Sequence, residues 1–66
     1  MKITAKESFE HTRIIKGYSI QGLARAMKVN ASVAFNIEKG KSIRPETAKK
    51  ACEALEAEFD ELFNIK

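Results

Sequence analysis

The stretch Ser19-Ile20-Gln21-Gly22-Leu23-Ala24-Arg25-Ala26-Met27, then Lys28-Val29-Asn30, then Ala31-Ser32-Val33-Ala34-Phe35-Asn36-Ile37-Glu38-Lys39 decides how this chain folds. Ser19 is a residue type that starts helices, because its hydroxyl accepts a hydrogen bond from a free amide of the first turn. Between Ile20 and Met27, the residues Leu23, Ala24 and Met27 recur at i, i+1 and i+4 and form one apolar stripe. Lys28-Val29-Asn30 interrupts that stripe. Asn30 is placed to cap a further helix from Ala31 to Lys39, and Gly40 closes it.

Two short helices joined by a three-residue break predict a helix-turn-helix over residues 19–39. Such a crossing needs a small residue where the helices meet, and Ala24 stands there. Leu23, Met27, Val29, Val33 and Ile37 supply the apolar surface. Upstream, a first helix is expected from about Ala5 to Lys16, with Phe9, Ile14 and Thr12 facing inward and Gly17 as its C-cap. Downstream, Pro45 pre-sets the first turn of a fourth helix, with Ser42 or Arg44 just before it. Its apolar residues Ala48, Ala51, Cys52 and Leu55 keep helical spacing. Glu58-Phe59-Asp60 opens a short fifth helix containing Leu62 and Phe63. No run alternates apolar and polar residues over five or more positions, so no strand is expected. The fold class is therefore all-α, with the 66 residues forming one domain.

A domain this small sits near the lower limit for folding alone, and compact helical packing is the usual solution. The single cysteine, Cys52, excludes an intramolecular disulfide and reads as a small core hydrophobe. No His/Cys cluster has metal-ligand spacing, so no metal or cofactor is expected. His11 stands alone in a polar stretch, and no Ser, Cys or acid completes a catalytic set around it. No Gly-rich loop has phosphate-binding spacing. The chain is not expected to be an enzyme. The first residues lack the apolar run of a signal peptide, and nothing approaches a membrane span, so the protein is expected in the cytoplasm.

The net charge of +3 is unevenly spread. Residues 1–51 hold eleven Lys or Arg against four acids, a net +7, whereas residues 52–66 hold one Lys against five acids, a net −4. The basic part suits a polyanion, with the acidic tail turned away from it. On a wheel of about 100° per residue, Ala31, Ser32, Phe35, Asn36 and Lys39 share one face of the third helix. Asn30, Val33, Ala34 and Ile37 share the other, which is the core face. The first face has about the width that a DNA major groove accepts. Ser32 and Asn36 suit hydrogen bonds to base edges, and Ala31 and Phe35 suit contact with thymine methyls. Lys39, Lys41, Ser42 and Arg44 suit phosphates.

From Tyr18 to Phe63 the chain resembles the helix-turn-helix of phage repressor, Cro and xenobiotic-response-element type regulators. The shared elements are an apolar residue before Ser19, Leu23-Ala24, the short turn, Ile37-Glu38-Lys39-Gly40-Lys41, Pro45 and the closing Leu62-Phe63. The resemblance implies a compact five-helix, lambda-repressor-like domain that binds double-stranded DNA as a homodimer on a near-palindromic operator. It also implies a partly buried ion pair between Arg13 and Glu38. Ser19 and Gln21, at the start of the second helix, are expected to meet phosphate. The expected dimer surface is the loop around Ile43 and the segment with Phe63 and Ile65.

Four positions depart from the family pattern. Ile20 stands where a phosphate-binding Gln is usual, with Gln21 one position along. Lys28 stands where the turn usually has Gly, which costs on the order of 1 kcal/mol if the backbone there is left-handed. Ala34 replaces a large aliphatic anchor. Ala31 and Phe35 make the reading face apolar. Phe35 has three open readings: it tucks into space left by Ala34, presses on thymine methyls, or binds a protein partner. Two functions follow. One is a sequence-specific DNA-binding regulator, a repressor. The other is a protein-interaction module on the same fold, antirepressor- or antitoxin-like, using the Phe35 face.

Overall fold

The computed structural model describes residues 1–66. The elements in chain order are β1 (Ile3–Ala5), α1 (Ser8–Ile15), α2 (Ile20–Met27), α3 (Ala31–Glu38), α4 (Pro45–Leu55), α5 (Phe59–Leu62) and β2 (Phe63–Ile65). Five helices form in the order the sequence predicts, with shifted limits at α1 and α5, but the expectation of no strand is corrected. β1 pairs antiparallel with β2 in the register Ile3–Ile65, Thr4–Asn64 and Ala5–Phe63. Just beyond it, Lys2 and Lys66 exchange backbone hydrogen bonds of 2.7 and 2.8 Å. On the other side of β1, the amide of Ile43 donates to the Ile3 carbonyl at 3.0 Å.

Each strand has only three residues, too few to show an alternating pattern. What makes them strands is a pairing between opposite ends of the sequence, which no local window contains. The strand also consumes Ala5, so α1 starts at Ser8 rather than at Ala5. Likewise α5 ends at Leu62, and Phe63 is extended (φ −132°, ψ 154°) as the first residue of β2.

The core gathers one stripe from each helix. Phe9 of α1, Leu23 and Met27 of α2, Ile37 of α3, Ala48, Ala51 and Leu55 of α4, and Leu62 of α5 are buried together with Ile3 and Phe63 of the sheet. Phe63 sits among aromatics, its ring centroid 5.6 Å from Phe9 and 5.4 Å from Phe59. Ile43 and Ile65 flank Ile3 as its partners on either side, and of the two only Ile43 packs against the core. Ile3 is sealed, Ile43 half-buried and Ile65 exposed at the rim. Ala24 and Ala34 are both buried on α2 and α3, and short side chains there let the two helices approach. Ile14, expected inward, is 59% exposed. It lies five residues after Phe9, about 140° around the helix, so Arg13 takes the inward direction instead.

Four helices end in the same way. After α1, the amide of Tyr18 reaches the Arg13 carbonyl at 3.1 Å and that of Gly17 reaches Ile14 at 3.0 Å. The same pair of bonds recurs from Val29 and Lys28 after α2, from Lys41 and Gly40 after α3, and from Ala57 and Glu56 after α4. This double bond pattern absorbs the last orphan carbonyls and requires one left-handed residue. Gly17 (φ 84°) and Gly40 (φ 85°) fill that place without a steric cost. Lys28 (φ 60°) and Glu56 (φ 52°) fill it as side-chain-bearing residues.

Candidate nucleic-acid interface

The start of α2 is set by Ser19, whose backbone is extended (φ −76°, ψ 170°) and whose Oγ accepts from the Gly22 amide at 2.9 Å. Asn30 holds the equivalent place before α3 (φ −70°, ψ 150°), but its side chain makes no capping bond. Arg44 precedes α4 in the same extended conformation, with Pro45 at the first helical position.

The relative placement of α1, α2 and α3 is tied down by Arg13. Its Nε donates to Glu38 Oε1, its second terminal nitrogen lies 3.4 Å from Glu38 Oε2, and its other terminal nitrogen donates to the Tyr18 carbonyl at 2.7 Å. One guanidinium fork thus joins the end of α1, the turn before α2 and the end of α3. Both side chains are largely shielded, with 12% and 11% of their surface exposed. A carboxylate held this way fixes geometry more than it adds stability.

On α3, Ala31, Ser32, Phe35 and Lys39 are exposed and Asn36 is half-buried, while Ala34 and Ile37 are sealed. The reading that Phe35 fills space left by Ala34 is corrected: the residue is 51% exposed. Lys39 Nζ lies 5.0 Å from the centre of that ring, close enough for a cation–π attraction. Asn36 shares a hollow with Val33, Lys41, Ser42, Ile43, Arg44 and Thr47. One base-reading candidate and three phosphate-binding candidates therefore meet in one concavity between α3 and α4. Arg44 is only loosely engaged, 3.9 Å from Glu46, with both side chains open to solvent. Gln21 lies apart from that hollow, in a second one lined by Ala24, Arg25, Val29, Asn30 and Ala31.

The helix-turn-helix family profile matches residues 12–62, most of the chain. The chain belongs to the family of phage repressor and Cro-like helix-turn-helix regulators. It is accordingly a DNA-binding transcription regulator, and the family is not one of enzymes. No curated protein matches it. No helix is long and apolar enough to cross a membrane.

Within this helix-turn-helix domain, the sequence reading missed Arg25. It is exposed in the last turn of α2 and shares the hollow of Gln21 and Ala31. The signal was available, since Arg25 follows Gln21 by four positions and so lies on the same helix face. Phe63, placed by the sequence reading on a dimer surface, is instead 1% exposed in the monomer core. Its aromatic partners Phe9 and Phe59 already cover it.

Proposed function

We propose that this protein is a repressor that binds a near-palindromic operator as a homodimer, with α3 in the major groove. The observation that carries the reading is the exposed face of α3 set beside the Lys41, Ser42 and Arg44 concavity. A helix lying in the groove brings flanking cations within reach of the backbone, which positions it, while the helix face meets base edges. Ala31, Ser32, Phe35 and Asn36 read bases. Lys39, Lys41, Ser42 and Arg44 hold phosphates on one side, and Ser19, Gln21 and Arg25 on the other.

One domain of this size makes too few base contacts for tight specificity, so two copies are required. Ile65, 60% exposed at the rim of the sheet, and half-buried Ile43 on the far side of Ile3 are the apolar surface for the second copy. Phe63 contributes only by supporting β2 from beneath.

The test is selection from random double-stranded DNA at two salt concentrations, with sedimentation of the protein alone and with the selected duplex. The expected result is a dyad-symmetric site with half-sites about 34 Å apart, a steep salt dependence, and two copies per duplex. Weak binding without an enriched sequence would refute this reading. It would turn attention to a protein partner for the exposed Phe35.

A further inference from the structure

The four leading residues of the outer face of α3, Ala31, Ser32, Phe35 and Asn36, include none of the charged side chains that usually read a G·C pair, neither Arg or Lys for guanine nor Asp or Glu for cytosine. The nearest cation, Lys39, has its ammonium 5.0 Å from the centre of the Phe35 ring. Phe35 keeps half its surface exposed although the neighbouring Ala34 is fully buried, so the ring is a feature of the surface and not of the core. Ala31, one turn earlier on the same face, is exposed as well.

We propose that Phe35, with Ala31, makes DNA recognition depend on the C5 methyl group of a pyrimidine, whether thymine or 5-methylcytosine. This rests on α3 entering the major groove. There, the bases show hydrogen-bonding edges and one apolar feature, the C5 methyl, and 5-methylcytosine carries that group at the same ring position. A phenyl ring pressed on a hydrogen-bonding edge strips its water and returns no partner, which is costly. Against a methyl group it loses nothing and removes apolar surface from water. The ring therefore selects in both directions, by attraction to the methylated pyrimidine and by penalty against the rest. The cation over the ring restrains it before DNA arrives, which lowers the ordering cost of the contact.

The experiment uses the whole chain and its selected duplex. One selection starts from unmethylated DNA and one from DNA methylated at CpG steps. Each thymine of the enriched site is then replaced singly by uracil. Loss of about fourfold in affinity at one position per half-site, the worth of one buried methyl, assigns the group to thymine. No loss with uracil, but a gain of similar size on CpG methylation, assigns it to 5-methylcytosine. Changes below twofold in both series overturn the proposal and leave the operator-binding reading standing. Absence of any enriched site overturns the operator-binding reading and this proposal with it. Phe35→Ala, outside the core and checked for helicity by circular dichroism, should bind methylated and unmethylated sites alike. Phe35→Leu, a smaller apolar group, should keep part of the discrimination even if the alanine variant binds too weakly to measure. Full discrimination in either variant removes Phe35 from the role.

Discussion

Replacing Glu56 by glycine should stabilise this protein. Glu56 closes α4 in the left-handed region, as Lys28 closes α2. An L side chain there costs about 1–2 kcal/mol. Glycine removes that cost but returns about 0.4–1 kcal/mol through the greater freedom of the unfolded chain. The net gain from backbone alone is about 0.5–1 kcal/mol. Charge then separates the two sites. A helix C-terminus carries a partial negative charge, so Glu56 is repelled and Lys28 attracted, each by about 0.3–1 kcal/mol. Glu56→Gly is therefore expected to gain about 1–1.5 kcal/mol, and Lys28→Gly close to nothing. In a domain of this size about 1 kcal/mol moves the melting temperature by about 4–8 °C. Thermal melts followed by circular dichroism give the difference directly. Near 1 M salt the dipole contribution is screened, and the two variants should converge. Gly17→Ala and Gly40→Ala supply the opposite control. An added Cβ meets no atom within 4 Å at either site, so their loss of about 1 kcal/mol would be conformational alone. A Glu56→Gly protein that melts below its parent, at low and high salt alike, would refute this account of the helix ends.

The Arg13–Glu38 pair predicts non-additivity. Arg13→Met or Glu38→Leu alone strands a shielded charge and should cost about 3 kcal/mol in urea unfolding, whereas the double substitution should recover most of it; equal additive losses would remove the pair as the link between α1 and α3. Phe63→Ala empties the space between Phe9 and Phe59 and should cost about 3–5 kcal/mol, as much as a domain of this size possesses. That variant should show no cooperative melt at 25 °C, and a well-folded one would contradict its place in the core. Lys41→Ala and Arg44→Ala should each lower the slope of log affinity against log salt by about 0.9, one phosphate contact apiece, with no change in the selected sequence. Burial, then Glu58 and Glu53, push the Cys52 thiol above its ordinary range. Its alkylation by iodoacetamide at pH 8, followed by mass spectrometry, should therefore run slower than that of free cysteine, and an equal rate would argue against a shielded thiol.

How much of this was legible depended on how local the cause was. Ser19, Gly17 and Gly40 act within one turn of themselves, and the helix limits they imply agree with the structure to within a residue or so. The left-handed bend at Lys28 followed from comparison with the family's usual glycine. Glu56 carried no such signal, because nothing in its residue type announces a left-handed backbone. The sheet was hidden because each half of it is a three-residue segment whose partner lies at the other end of the sequence. That single omission also misplaced the start of α1 and put Phe63 on the wrong side of the molecular surface. Ile14 differs for another reason: its apolar side chain predicts an inward direction, which in the fold belongs to the charged Arg13. For Phe35, one wheel position does not distinguish a surface ring from a packed one.

The pairing of β1 with β2 also sets an order of events in folding. α2 and α3 can meet as soon as the turn between them exists, because that closure spans few residues. The sheet joins the first element of the domain to the last, the longest closure the fold makes, and its entropy cost is met only after the intervening helices have assembled. On a ribosome, residues 3–5 must wait until residues 63–65 have emerged from the exit tunnel. Until then Ile3 and the rings of Phe9 and Phe59 stay uncovered, since the strand that shields them has not arrived. The helix-turn-helix is thus assembled early, and the sheet acts as a late latch that governs how slowly the finished domain comes apart.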